Sequence, residues 1–166
     1  HRYIFIFFLL VLILGISTGK ILMSIGTIGL SVNWIFEGGF KSKVVRIKEQ
    51  YYSSVILSSA YLIHLIWLFN SENFEYASKD LLVKLPLLLI PLVVGSSEKL
   101  KHLETKIILH VFITGVFISI LLSTLVYFHI IPPKANSENF FQISLFMSHI
   151  RMGLLVSFTS ILLFYL

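Results

Sequence analysis

IILHVFITGVFISILLSTLVYFHI (107–130) contains no Asp, Glu, Lys or Arg. It is longer than the roughly 20 apolar residues an α-helix needs to cross the hydrocarbon of a bilayer. A run of this length and composition reads as a membrane span, and the rest of the chain agrees with it. Over 166 residues the sequence is 57% hydrophobic and only 13% charged, with a mean hydropathy of +0.92. A soluble domain carries about 25% charged residues. The 15 Phe and seven Tyr suit lipid-facing surfaces and the aromatic belts at membrane interfaces.

Upstream of this run lies a charged loop, 96–106, with Lys99, Lys101 and Lys106. Before it comes LLVKLPLLLIPLVVG (81–95), an apolar segment interrupted by Lys84, Pro86 and Pro91. The loop 70–80 is acidic, with Glu72, Glu75 and Asp80 against Lys79, and the run 53–69 is apolar with His64 and Trp67. EGGFKSKVVRIKEQYY (37–52) is a basic loop holding Lys41, Lys43, Arg46 and Lys48. The first two apolar runs, 3–20 and 21–36, meet at Gly19-Lys20 and read as a tight helical hairpin. Gly15, Gly19, Gly26 and Gly29 would let its helices approach closely. Downstream, a loop opened by Pro132-Pro133 leads to a last apolar run, 151–166. The expectation is an all-α, polytopic transmembrane bundle of about six spans (3–20, 21–36, 53–69, 81–95, 107–130 and 151–166). The chain starts at His1 rather than Met and stops inside an apolar run. It therefore reads as the N-terminal transmembrane region of a longer protein. The first run has no small-x-small cleavage site, so a cleavable signal peptide is not expected.

Base counting sets the orientation. With the N-terminus inside, the inner segments hold Arg2, Lys41, Lys43, Arg46, Lys48, Lys99, Lys101 and Lys106. The outer ones hold Lys20, Lys79, Lys84, Lys134 and Arg151. The excess of bases in short loops marks the cytoplasmic side, which places the N-terminus in the cytoplasm and Arg151 on the outer face. The formal net charge of +5 is thus a topological signal rather than a sign of nucleic-acid binding.

Most enzyme chemistries are excluded by residue type. The absence of cysteine removes disulfides and thiolate metal sites. There is no phosphate-binding glycine loop, no dinucleotide fingerprint and no HExxH pair. The histidines at 64, 102, 110, 129 and 149 are too scattered for a metal site, and no pair of carboxylates falls within a span to serve as a proton relay. Neither a metal nor a cofactor is expected. Asn-Ser-Glu-Asn-Phe occurs at 70–74 and again at 136–140, which we read as coincidence.

Two bases at membrane boundaries remain. Lys84 stands just inside the outer end of its segment, two residues before Pro86. It is either a snorkelling lysine or the lining of an outer cavity that meets an anion. Arg151 opens the last run in SHIRMGLLV (148–156), with Leu155 four positions on and on the same helix face. It is either an interfacial anchor or an anion hook. A guanidinium offers a planar fork of donors suited to phosphate, and the first turn of a helix adds free N–H groups and a positive dipole end.

Three segments in order resemble the O-antigen ligase family, its Bacteroidetes-type members in particular. They are NWIFEGGFKSKVVRIKE (33–49), HLIWLFNSENFEYASKDLLVKLPLLLIPLV (64–93) and SHIRMGLLV (148–156). The resemblance implies a membrane glycosyltransferase with a GT-C-like fold, in the inner membrane of a bacterium. Such enzymes take a glycan from undecaprenyl pyrophosphate at the periplasmic face and pass it to lipid A–core. They act without a metal ion. Family members carry a periplasmic-side arginine followed by leucine at the fourth position, proposed to hold the pyrophosphate, and Arg151 with Leu155 matches that pattern. Lys84 falls in the family's Lys-Leu-Pro segment and is a second candidate contact. The family's large periplasmic loop, with its functional histidine, is expected beyond Leu166. No catalytic residue is therefore expected within 1–166, and this stretch alone is expected to be inactive. A repeat-unit polymerase and a lipid-linked glycan transporter are the alternative readings.

Overall fold

A computed structural model of the chain describes residues 1–49, 51–71, 73–128, 130 and 148–165. The described residues are helical, with no strand among them: α1 (Arg2–Thr18), α2 (Lys20–Glu37), α3 (Phe40–Glu49), α4 (Tyr51–Leu68), α5 (Phe74–Lys84), α6 (Pro86–Ser96), α7 (His102–Tyr127) and α8 (His149–Tyr165). The expected all-α class is observed. By length and composition, α7 is the one helix among the described residues able to cross a bilayer unaided, and α2 with α3 qualifies only if the bent pair counts as one broken span. α1, α4 and α8 are apolar but shorter. At 1.5 Å per residue, the 17 residues of α1 reach only about 26 Å, short of a hydrocarbon core of about 30 Å.

Two segments differ from the expected pattern. The loop expected at 37–52 contains a helix, α3, which turns 116° from α2. Gly38 and Gly39 make that corner, with φ of 69° and 64°, in the left-handed region that costs residues with a Cβ. The segment expected as one span at 81–95 is split between α5 and α6, which meet at Leu85. Pro86 has no N–H to continue α5 but suits the first turn of a new helix. α5 also begins earlier than expected, because the Asn73 side chain accepts the Tyr76 N–H at 3.0 Å and caps it.

The chain forms two compact units, one of His1 and Thr27–Lys99, the other of Arg2–Gly26 and Leu100–Leu166. In the first, α4 packs on α6, with Tyr61 and Val93 in the core. Gly95 brings α6 so near α4 that an added Cβ would collide with the Ser54 hydroxyl. In the second, α1 packs along α7. Phe5, Leu9 and Leu12 on one side and Ile108, Phe112 and Val116 on the other recur at helical spacing and are buried. Small residues set the approach: a Cβ on Gly115 would lie 2.5 Å from Ser17 Oγ. The hairpin of α1 and α2 is tight as expected, with Gly15 and Gly26 at the contact, whereas Gly19 has open space around it.

Candidate anion-binding site

Arg151 lies in the first turn of α8, in the second unit. Ser148 caps this helix, accepting the Arg151 N–H on its Oγ at 3.4 Å while its carbonyl accepts the Met152 N–H at 3.0 Å. Ser148 was not singled out by the sequence, yet serine just ahead of a helical run is the usual N-cap signal. Arg151 and Leu155 are half-buried, and Thr159, a further turn on, is buried. The arginine therefore stands on the less exposed side of α8, a helix that packs on α7.

The partner of the guanidinium is informative. Nη2 lies 3.7 Å from Met23 Sδ, a soft and weak acceptor. No carboxylate pairs with Arg151 among the described residues. A half-buried cation held against a thioether keeps most of its donors available for an anion. A plain interfacial anchor would point outward from the less exposed face instead.

Lys84 is placed differently. It ends α5 in the first unit, where its Nζ lies 2.6 Å from Asp80 Oδ2 and donates to His64 Nδ1 at 3.4 Å. Its charge is largely offset by a carboxylate one turn earlier on the same helix. Among the described residues the histidines do not converge. His110 donates from Nδ1 to the Lys106 carbonyl at 2.7 Å, and His64 faces Lys84. His129 and the side chain of His149 lie outside the described parts of the chain. No group of three potential metal ligands occurs among the described residues.

The Asn-Trp-x-x-Glu-Gly segment has a clear local role in the first unit. Lys43, at 2% exposure, is buried against it. Its Nζ donates to the Trp34 carbonyl, sits 4.7 Å from the Trp34 ring centroid and pairs with Glu37 at 3.1 Å. Trp34 Nε1 donates to Ser96 Oγ at 2.6 Å, and Arg46 reaches the Ser96 carbonyl at 3.3 Å and Glu98 at 3.6 Å. These contacts lock the α2–α3 corner onto the end of α6. Base counting alone gives Lys43 and Arg46 no role beyond topology.

The chain matches no known family, no characterised protein and no solved structure in the comparisons made.

Proposed function

We propose that the chain is the transmembrane part of a polytopic bacterial inner-membrane glycosyltransferase of the O-antigen ligase type, its N-terminus cytoplasmic. It would move a glycan from undecaprenyl pyrophosphate to lipid A–core at the periplasmic face. The observation that carries this reading is Arg151. It is a half-buried arginine on the less exposed side of an apolar helix, in the first turn, with a thioether for a neighbour and no acidic partner among the described residues. Buried or half-buried bases inside apolar bundles mark ligand sites more often than anchors. The ordered likeness of three segments to the family gives that base its ligand. The many large apolar side chains exposed on α1, α2, α4, α7 and α8 fit a lipid surround.

In such a reaction an acceptor hydroxyl attacks the anomeric carbon of the donor sugar. The bond from that carbon to the pyrophosphate oxygen breaks, and undecaprenyl pyrophosphate leaves with the bonding pair. Arg151 would hold the pyrophosphate and offset the negative charge growing on its oxygens. A base from outside 1–166 would take the hydroxyl proton. In the full-length protein, Arg151→Ala is expected to lower transfer by on the order of 10²–10³-fold. Arg151→Lys should recover little of it, because a point charge lacks the bidentate fork. The measurement is glycan capping of lipid A–core in membranes or vesicles. Unimpaired transfer by Arg151→Ala would refute the assignment.

A further inference from the structure

The four bases of α3 divide into two pairs. Lys43 and Arg46 are spent inside the first unit, on Glu37 and the Trp34 carbonyl and on Glu98 and the Ser96 carbonyl. Lys41 and Lys48 have no acidic partner among the described residues. They share one helix face with Phe40, Val44 and Val45, since these positions fall at i, i+1, i+4, i+5 and i+8. That face is uncovered: Phe40 is 53% exposed, Val44 52% and Val45 55%. α3 also runs across the axis of α2 rather than along it, the two meeting at 116°.

We infer that this face of α3 lies on the anionic leaflet of the membrane, with Phe40, Val44 and Val45 in the headgroup–acyl boundary and Lys41 and Lys48 on lipid phosphates. This inference rests on the membrane part of the reading above and not on the transfer reaction. A helix crossing the axis of an apolar neighbour lies near the plane of the bilayer that the neighbour enters. Valine and phenylalanine interleaved with long-stemmed lysines form a surface that fits this boundary, the stems lying along apolar surface while the ammonium groups reach the headgroups. The charge is complementary to a cytoplasmic leaflet, the side to which base counting assigns this loop. A second copy of the chain fits less well, because a two-fold contact through this face would bring lysines against lysines.

The chain has no cysteine, so single labels can be introduced without background. A Val45→Cys variant of the full chain, with Val44→Cys as an independent second position, would carry an environment-sensitive fluorophore in vesicles. The vesicles would be phosphatidylcholine alone or mixed with phosphatidylglycerol, with quenchers placed shallow or deep in the acyl chains. Phe117→Cys on α7, 62% exposed, reports insertion of the apolar helix. The expected result is shallow quenching of the α3 label, strengthened by phosphatidylglycerol and lost on raising the salt. Lys41→Gln with Lys48→Gln should lower the docked-to-undocked ratio on anionic vesicles by on the order of thirty-fold. Inorganic phosphate added to the detergent-solubilised chain should leave the label unchanged. A water-exposed α3 label beside a deeply quenched α7 label would overturn the docking of α3 alone. An unquenched α7 label would overturn the membrane reading and the docking with it. Energy transfer between α3 labels on two copies would assign the face to self-association and overturn the lipid assignment.

Discussion

Lys43 Nζ lies 4.7 Å from the centroid of the Trp34 ring while donating to the carbonyl of the same residue. One side chain thus ties the last turn of α2 to α3 around a corner made of two glycines. Removing it would leave the Trp34 carbonyl without this donor and Glu37 without its cation.

Lys43→Ala is therefore expected to destabilise the first unit by about 2–3 kcal/mol. That is below the 3–5 kcal/mol typical of breaking a buried pair, because water reaches Glu37 and can solvate it. Lys43→Met, which keeps the stem packed on Trp34 and Phe40, should lose less. A denaturant titration in detergent, followed by far-UV circular dichroism, gives the comparison. Equal stability of all three proteins would show that the corner does not depend on this contact.

Arg2 and Glu104 form a two-pronged pair in the second unit, Nε to Oε1 at 3.1 Å and Nη2 to Oε2 at 2.7 Å. Glu104 stands in the first turn of α7, ahead of the apolar run that starts at Ile107, and also accepts the Lys101 N–H at 2.8 Å. The hydrogen bond from Arg2, and after it the one from Lys101, hold this carboxyl below its ordinary value of 4.5. A carboxylate with a lowered value stabilises the fold fully above the ordinary value. Its contribution drains away as the pH falls through the lowered one. Unfolding midpoints measured from pH 7 downward should fall more steeply for the unaltered chain than for Glu104→Gln, with the difference confined to pH below about 5. Parallel curves would remove the pair as an acid-sensitive contact.

Much of this architecture follows from hydropathy and punctuation. The run 107–130 required a long apolar helix, and Gly19-Lys20 required the break between α1 and α2. What escaped depended on through-space partners. The loop 37–52 is polar on average, and only the burial of Lys43 against α2 and the contacts of Arg46 with the end of α6 show why it folds as a helix. Pro86 is legible as an interruption of the run 81–95, but the sequence does not say whether it bends one helix or starts another; in the structure it opens α6, which packs on α4. For Arg151, residue type and position were legible from the sequence. Its thioether neighbour, Met23, lies too far away in the chain for any local pattern to reveal.

The hairpin of α1 and α2 offers a contrast between two glycines. A Cβ on Gly26 would lie 2.6 Å from the backbone of Leu12, while one on Gly19 would meet nothing within 4 Å. Backbone cannot swing aside as a side chain can, so Gly26→Ala must push the helices apart, at a cost of about 1–3 kcal/mol. Gly19→Ala should be neutral or stabilising by up to about 1 kcal/mol, through lost freedom of the unfolded chain. Unfolding midpoints of the two variants should therefore shift in opposite directions or differ clearly in size. Equal shifts would mean the close approach at Gly26 does not set the hairpin geometry.

Asp80 makes Lys84 a masked cation rather than an open one. Its carboxylate lies 2.6 Å from Nζ, and the ammonium also faces His64. If the donor binds through Arg151, Lys84→Met should leave the KM for the lipid-linked donor within about twofold, because an ion pair of this exposure contributes at most about 1 kcal/mol. Asp80→Asn removes the mask and frees a positive charge, but with the donor held by Arg151 it too should leave that KM within about twofold. Steady-state transfer by the full-length protein, with donor varied at saturating acceptor, separates these outcomes. A tenfold rise in KM for Lys84→Met would show that Lys84 contacts the pyrophosphate despite its carboxylate partner. An unchanged KM in Asp80→Asn would place Lys84 away from the donor and leave Arg151 as the cation that meets it.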